Sequence, residues 1–245
     1  MMRLRSRLTR SVVAALSLAL LGALHGMSGH AEEGGPGGHD PDMDHHHEAP
    51  AVEAMSSQHQ HLGPHMKWTA RRTPNAADQQ RAAQIVQTLR GTLEKYKDYR
   101  VALQDGFQLP AAKFPQPHYH FTNKANAFKG ALTFNPAVPT SLLYTKTRDG
   151  YELEGAMYTA PRRMTEDELD QRVPLSVAQW HAHVNICLPP PGTRRGVALK
   201  TFGFKGSIAS EEECTAAGGR FLPQIYGWML HVYPFRQSPE QIWTH

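Results

Sequence analysis

The chain has 245 residues, with 26 Lys+Arg against 22 Asp+Glu, 15 His and only 2 Cys. Four of its arginines, Arg3, Arg5, Arg7 and Arg10, fall in the first 31 residues, which hold no acid; the remainder balances at 22 basic and 22 acidic groups. A formally neutral chain lacks the positive footprint that holds nucleic acid, so no nucleic-acid partner is expected.

Those arginines precede an apolar run over 11–24 and a small-residue cleavage sequence, Gly29-His30-Ala31. The pattern reads as a signal peptide over 1–31, the run being too short for a membrane span. No cysteine follows it to carry a lipid. The expectation is a periplasmic or secreted protein with no stable membrane anchor after cleavage. Residues 32–67 are rich in Gly, Pro, His and Asp and almost free of large aliphatic side chains, the composition of a disordered tail. There His45, His46, His47, His59, His61 and His65 are interleaved with Asp42, Asp44 and Glu48, and with Met43, Met55 and Met66. These are weaker candidate ligands, with thioether sulfur tilting the choice toward copper. The plainer reading is a polar linker.

Residues 68–245 are long enough for one domain with its own core. Asn75 is placed to cap a long helix. Ala82, Ile85, Val86, Leu89, Leu93, Tyr96 and Leu103 recur along it at helical spacing, and Gly106 is placed to end it. Strand-like runs follow at 118–122, 131–134, 141–145, 151–159, 179–186, 198–204 and 226–233. Thr165 with Glu168, and Ser210 with Glu213, read as capping boxes of two short helices. The expected fold is α+β: one domain, a mostly antiparallel sheet, a long N-terminal helix and two short helices.

The most informative local signals are two pairs, His118-Tyr119-His120 and His181-Ala182-His183. In a strand, alternate side chains share a face, so each pair sets two imidazoles side by side. His231 lies in a third strand-like run whose alternation also puts it on the polar face. Imidazoles converging from three strands suit zinc in a tetrahedral site or copper(II) in a tetragonal one. Copper is expected first and zinc second. Met229, beside His231, fits packing more readily than ligation. The competing reading leaves all five histidines facing water on a solvated strand face. It is also open whether the two His-x-His strands are partners.

Cys187 and Cys214, in an exported chain, most simply form a disulfide. The rival assigns Cys187 as a thiolate in a blue-copper arrangement, which would leave Cys214 unpaired. No zincin helix, nucleophile elbow, phosphate loop, dinucleotide fingerprint or Cys-x-x-Cys pair is present. Neither His-x-His pair is followed by the glutamate of a cupin-like dioxygenase. Glu152 and Glu154 read as paired acids or, more cheaply, as charges on a solvated face. Tyr119, Glu152 and Asn185 are the nominal acid-base candidates.

Several segments together resemble a family of exported bacterial proteins of uncharacterised function. They are Tyr96-Lys97-Asp98 through Asp105-Gly106-Phe107, His120-Phe121-Thr122-Asn123, Phe134-Asn135-Pro136-Ala137-Val138-Pro139 with Leu142-Leu143-Tyr144, and Trp228-Met229-Leu230-His231-Val232-Tyr233 with Ser238-Pro239. The resemblance spans most of 80–245 and implies an exported domain retaining His120 and His231. The expected function is metal binding, with copper buffered, sequestered or delivered and a metal ion as the partner; no protein partner is indicated. A hydrolytic or oxidative metalloenzyme at the same histidines is the alternative, and a non-metal interaction module is the third.

Overall fold

A computed structural model describes residues 63–110 and 116–244. Among them are one six-stranded antiparallel sheet and seven α-helices. The leader and the candidate ligands His45, His46, His47, His59 and His61 lie outside the described residues. Among the described residues no helix is long and apolar enough to cross a membrane.

Strand β1 (Met66–Trp68) precedes helix α1 (Ala76–Leu93). The Asn75 side chain accepts from the Asp78 N–H at 2.9 Å, and Asp78 sits at the positive end of the helix dipole. Ala82, Ile85, Val86, Leu89 and Leu93 form its buried stripe. The helix does not continue to Gly106 as the spacing predicted. A 3-10 turn (Glu94–Lys97) and an extended Asp98, which caps α2 (Tyr99–Gln104), divide it. Tyr144 donates its hydroxyl proton to the Tyr96 carbonyl at 2.7 Å, securing the turn against the sheet. The change of axis leaves Leu103, expected on the stripe, 46% exposed.

The sheet comprises β2 (Tyr119–Thr122), β3 (Ser141–Lys146), β4 (Tyr151–Ala160), β5 (His181–Leu188) and β6 (Arg220–Val232) besides β1. Their order is β1-β5-β6-β4-β3-β2. The two His-x-His strands are therefore not partners; three strands separate β2 from β5. Helix α3 (Lys124–Leu132) occupies the first part of the expected 131–134 strand, and Asn123 caps it. Helix α5 (Arg195–Thr201) replaces the start of the expected 198–204 strand. In both segments apolar residues too few to show a period were read as strand. Helices α4 (Glu166–Arg172) and α6 (Glu211–Ala216) start at Thr165 and Ser210 as expected, but of the two only Thr165 with Glu168 forms the capping box, since the Glu213 carboxylate accepts from the Ala209 N–H; α7 (Pro239–Ile242) closes the described chain.

One sheet face carries Tyr119, Phe121, Leu142, Tyr144, Ala156, Tyr158, Leu230 and Val232, and packs with α1 into the main core. Cys187 and Cys214 are joined, with Cα atoms 5.6 Å apart, tying β5 to α6. The bridge removes Cys187 from any thiolate-ligand role. Gly219 makes room for it: a Cβ there would lie 2.5 Å from the Cys187 sulfur.

The other face is bent by two irregularities. Leu143 pairs with Gly155 but Tyr144 pairs with Leu153, so Glu154 is the extra residue of a β-bulge. His181 pairs with Met229 but His183 pairs with Ile225, so Tyr226, Gly227 and Trp228 together face Ala182. Tyr226 takes φ 64°, a region that bulky residues enter only when their surroundings hold them there. Gly155 and Gly227 let backbones meet. An added Cβ would lie 2.3 Å from the Val232 oxygen in the first case and 2.0 Å from the Ala160 oxygen in the second. Gly155→Ala is expected to cost at least about 1–3 kcal/mol in urea unfolding, the range for overpacking against rigid neighbours. Gly91→Ala, in α1 with nothing within 4 Å of the added carbon, should instead stabilise by about 0.5–1 kcal/mol through helix propensity.

Candidate metal centre

The bent face gathers the histidines. Ring centroids of His120 and His231 stand 5.6 Å apart, those of His231 and His181 5.3 Å, and those of His181 and His183 5.7 Å. The four imidazoles thus form a continuous row contributed by β2, β6 and β5. Strands β2 and β6 have two strands between them, a separation of roughly 14 Å in a flat sheet at about 4.8 Å per strand. Their ring contact at 5.6 Å measures how far the sheet folds toward this face.

These side chains do not face water. His120, His181 and His183 are 2%, 1% and 4% exposed, so the solvated-face reading fails for them. Trp68 of β1 lies beside the row, its ring 5.3 Å from His181, and Phe204 lies 5.0 Å from His183 at the row's end. Phe204 also clusters with Ile186, which the simple strand alternation had placed on the opposite face from His183. The cause is Asn185: its φ of 56° resets the pleat, a conformation Asn tolerates better than most residues.

His118 stands apart from the row. Its Nδ1 is 2.7 Å from Glu154 Oε2, and its ring is 5.6 Å from Tyr233. The bulge turns Glu154 onto this face, where it also accepts from the Thr145 hydroxyl at 2.5 Å. Glu154 is therefore neither a surface charge nor paired with Glu152, which stays exposed. The neighbouring His118 holds the Glu154 carboxyl below its usual range, and Thr145 adds to this against the opposing effect of burial. Burial pushes the Tyr233 hydroxyl up to about 12, with Arg236 stacked 4.1 Å over its ring. A Gly inside a strand pattern is a bulge signal, so Gly155 was the sequence feature that pointed to Glu154. Alternation in the 226–233 run puts Tyr233 on the same face as His231, whereas nothing in the sequence pointed to Trp68.

His120 Nδ1 lies 3.2 Å from the His118 carbonyl oxygen. A carbonyl only accepts, so Nδ1 carries the proton and Nε2 is the nitrogen that would meet an ion. Metal-bound histidines are held in this way, by a carbonyl or carboxylate on the second nitrogen. The spacings also suit ligation. With metal–nitrogen distances of about 2.0–2.1 Å, centroids of two tetrahedral ligands stand roughly 5 Å apart. Among the described residues, no group of three or more His, Cys, Asp or Glu stands positioned to hold an ion. Ligation by the row therefore requires ring rotation about the soft χ2 torsion. The other nominal acid-base candidates lie elsewhere. Tyr119 packs in the core, and the Asn185 side chain donates to the Pro64 carbonyl.

His65 does not belong to a tail. It is buried, with Nδ1 2.9 Å from the Asn185 oxygen and Nε2 2.8 Å from the Gly206 oxygen. Both nitrogens face carbonyl oxygens, which closes the ring to a metal. The folded chain accordingly starts before Trp68. The His65 carbonyl accepts from Val184, and Met66 to Trp68 pair with His183 to His181.

No known protein family matches the chain, and neither the curated proteins nor the solved structures contain a significant match.

His65→Ala should lower stability by about 1–3 kcal/mol, because a buried carbonyl loses its donor. Denaturant titration monitored by Trp fluorescence would measure the loss.

Proposed function

We propose that this is an exported metal-binding protein that buffers, sequesters or delivers copper, with zinc as the second ion. The observation carrying the proposal is the row His120, His231, His181, His183: four imidazoles from three strands, at ligand-like spacing. The exported setting rests on the basic and apolar leader, and the resemblance to an exported family adds weight to His120 and His231. The tail histidines would capture ions loosely ahead of the folded site.

A metalloenzyme at the same face is the second reading, favoured by one feature. Glu154 against His118 is an acid-base pair beside the row, of the kind a hydrolytic site uses.

The test is elemental mass spectrometry on the mature protein, purified without affinity metal and dialysed against a mild chelator. About one ion per chain should remain, and His181→Ala with His231→Ala should remove it. Absence of retained metal, or retention unaffected by the double variant, would overturn the proposal.

A further inference from the structure

Strand register adds a second kind of donor to the histidine face. Met66 pairs with His183, Met229 with His181, and Met157 with His231. Directly opposed residues in antiparallel strands point to the same side, with Cβ atoms about 4.5–5.5 Å apart. Each histidine of β5 and β6 in the row therefore has a thioether as its cross-strand neighbour. Met157 and Met229 are 6% and 5% exposed, yet they are not part of the main core. They form a separate cluster with Leu143 and Tyr233, on the face that carries the imidazoles.

From this juxtaposition we infer that the site takes monovalent copper, held by imidazole from the row together with the thioether sulfurs of Met157 and Met229. The inference rests on the metal-binding proposal above and narrows it. Zinc sites are built from thiolate, imidazole and carboxylate, and a thioether gives them little. Copper(I) is soft and is selected by sulfur ligands, while imidazole remains acceptable to it. Methionine also suits the geometry: three rotatable bonds let its sulfur reach an ion whose position the less flexible imidazoles define. Met66, on the edge strand β1, is a third donor within the same register. Because β1 also carries Trp68 against His181, an ion on the row would sit close to an indole and quench it.

The experiment compares the full mature chain with its Met157→Leu/Met229→Leu double variant, a volume-conserving change. Copper(I) is presented as its bicinchoninate complex with ascorbate, and zinc is titrated separately. Copper(I) affinity should fall at least about tenfold in the double variant, the scale of loss seen even for residues that only support a ligand. Zinc affinity and the unfolding midpoint should be unchanged. X-ray absorption at one equivalent of copper should show sulfur scattering that weakens in the variant, and Trp68→Phe should remove most of the fluorescence quenching. Zinc binding without copper(I) binding, or equal copper(I) affinity in both chains, would overturn the inference and leave the metal-binding proposal standing. Failure of the wild-type chain to bind either ion would overturn both.

Discussion

At Gly155 the backbone of β4 meets the end of β6 so closely that a Cβ would lie 2.3 Å from the Val232 oxygen and 3.1 Å from the Tyr233 Cα. A side chain would push the two apart and flatten the sheet. The bulge beside it adds Glu154 to β4 and increases the local twist. Together they fold β2 and β6 toward each other until His120 and His231 touch across two intervening strands. The histidine row is thus a consequence of curvature. A flat sheet of the same sequence would present the same imidazoles as separate groups.

Having gathered these rings, the fold must satisfy them in a setting nearly closed to water. A buried polar group without a partner costs about 1–3 kcal/mol by mutational measure. The structure answers this site by site: Glu154 for His118, the His118 carbonyl for His120, and the Asn185 and Gly206 carbonyls for His65. His65 shows what a structural histidine looks like here, since both of its nitrogens are used and it fixes β1 to β5. His118 and His120 are held at one nitrogen each by an acceptor, the arrangement that orients an imidazole for a metal. The two kinds of histidine are separated by their partners, which sequence does not display.

Local signals were legible in the sequence and long-range ones were not. Asn75, Thr165, Ser210 and Gly106 each act on residues three or four away, and each does what its type predicts. The strand pattern at 118–122 is readable because alternation has one physical explanation, whereas the bulges at Glu154 and at Tyr226 to Trp228 interrupt it in 151–159 and 226–233. The 131–134 and 198–204 segments are ambiguous because three or four apolar residues fit a strand or a helix turn equally. Residues 94–98 show the opposite limit: Leu93, Tyr96 and Leu103 keep helical spacing across a break in the helix. The resetting at Asn185 was hidden for the same reason, since a single left-handed residue leaves composition untouched while exchanging the two faces of the strand. Strand order and curvature depend on contacts between distant segments, such as Gly155 with Val232, and the placement of β1 on contacts more than a hundred residues apart, such as His65 with Gly206; no local pattern encodes them.

The identity of an ion is likewise a long-range property. Each His-x-His step supplies two nitrogens from one strand, and nitrogen alone accommodates zinc, copper or nickel. Discrimination comes from whatever the neighbouring strands place opposite. His231, His181 and His183 each have a methionine opposite on one neighbouring strand, although Met157, Met229 and Met66 are scattered over more than 160 positions of the sequence. Read along the chain, Met229 is an apolar residue in an apolar strand. Read across the sheet, it is the residue opposite His181, and its sulfur is the atom that would separate a soft ion from a borderline one. A register shift of one residue would turn these methionines to the other face and leave a nitrogen-only site. The bulges that curve the sheet therefore also fix its register, so that curvature, donor set and ion preference are set by the same few backbone irregularities.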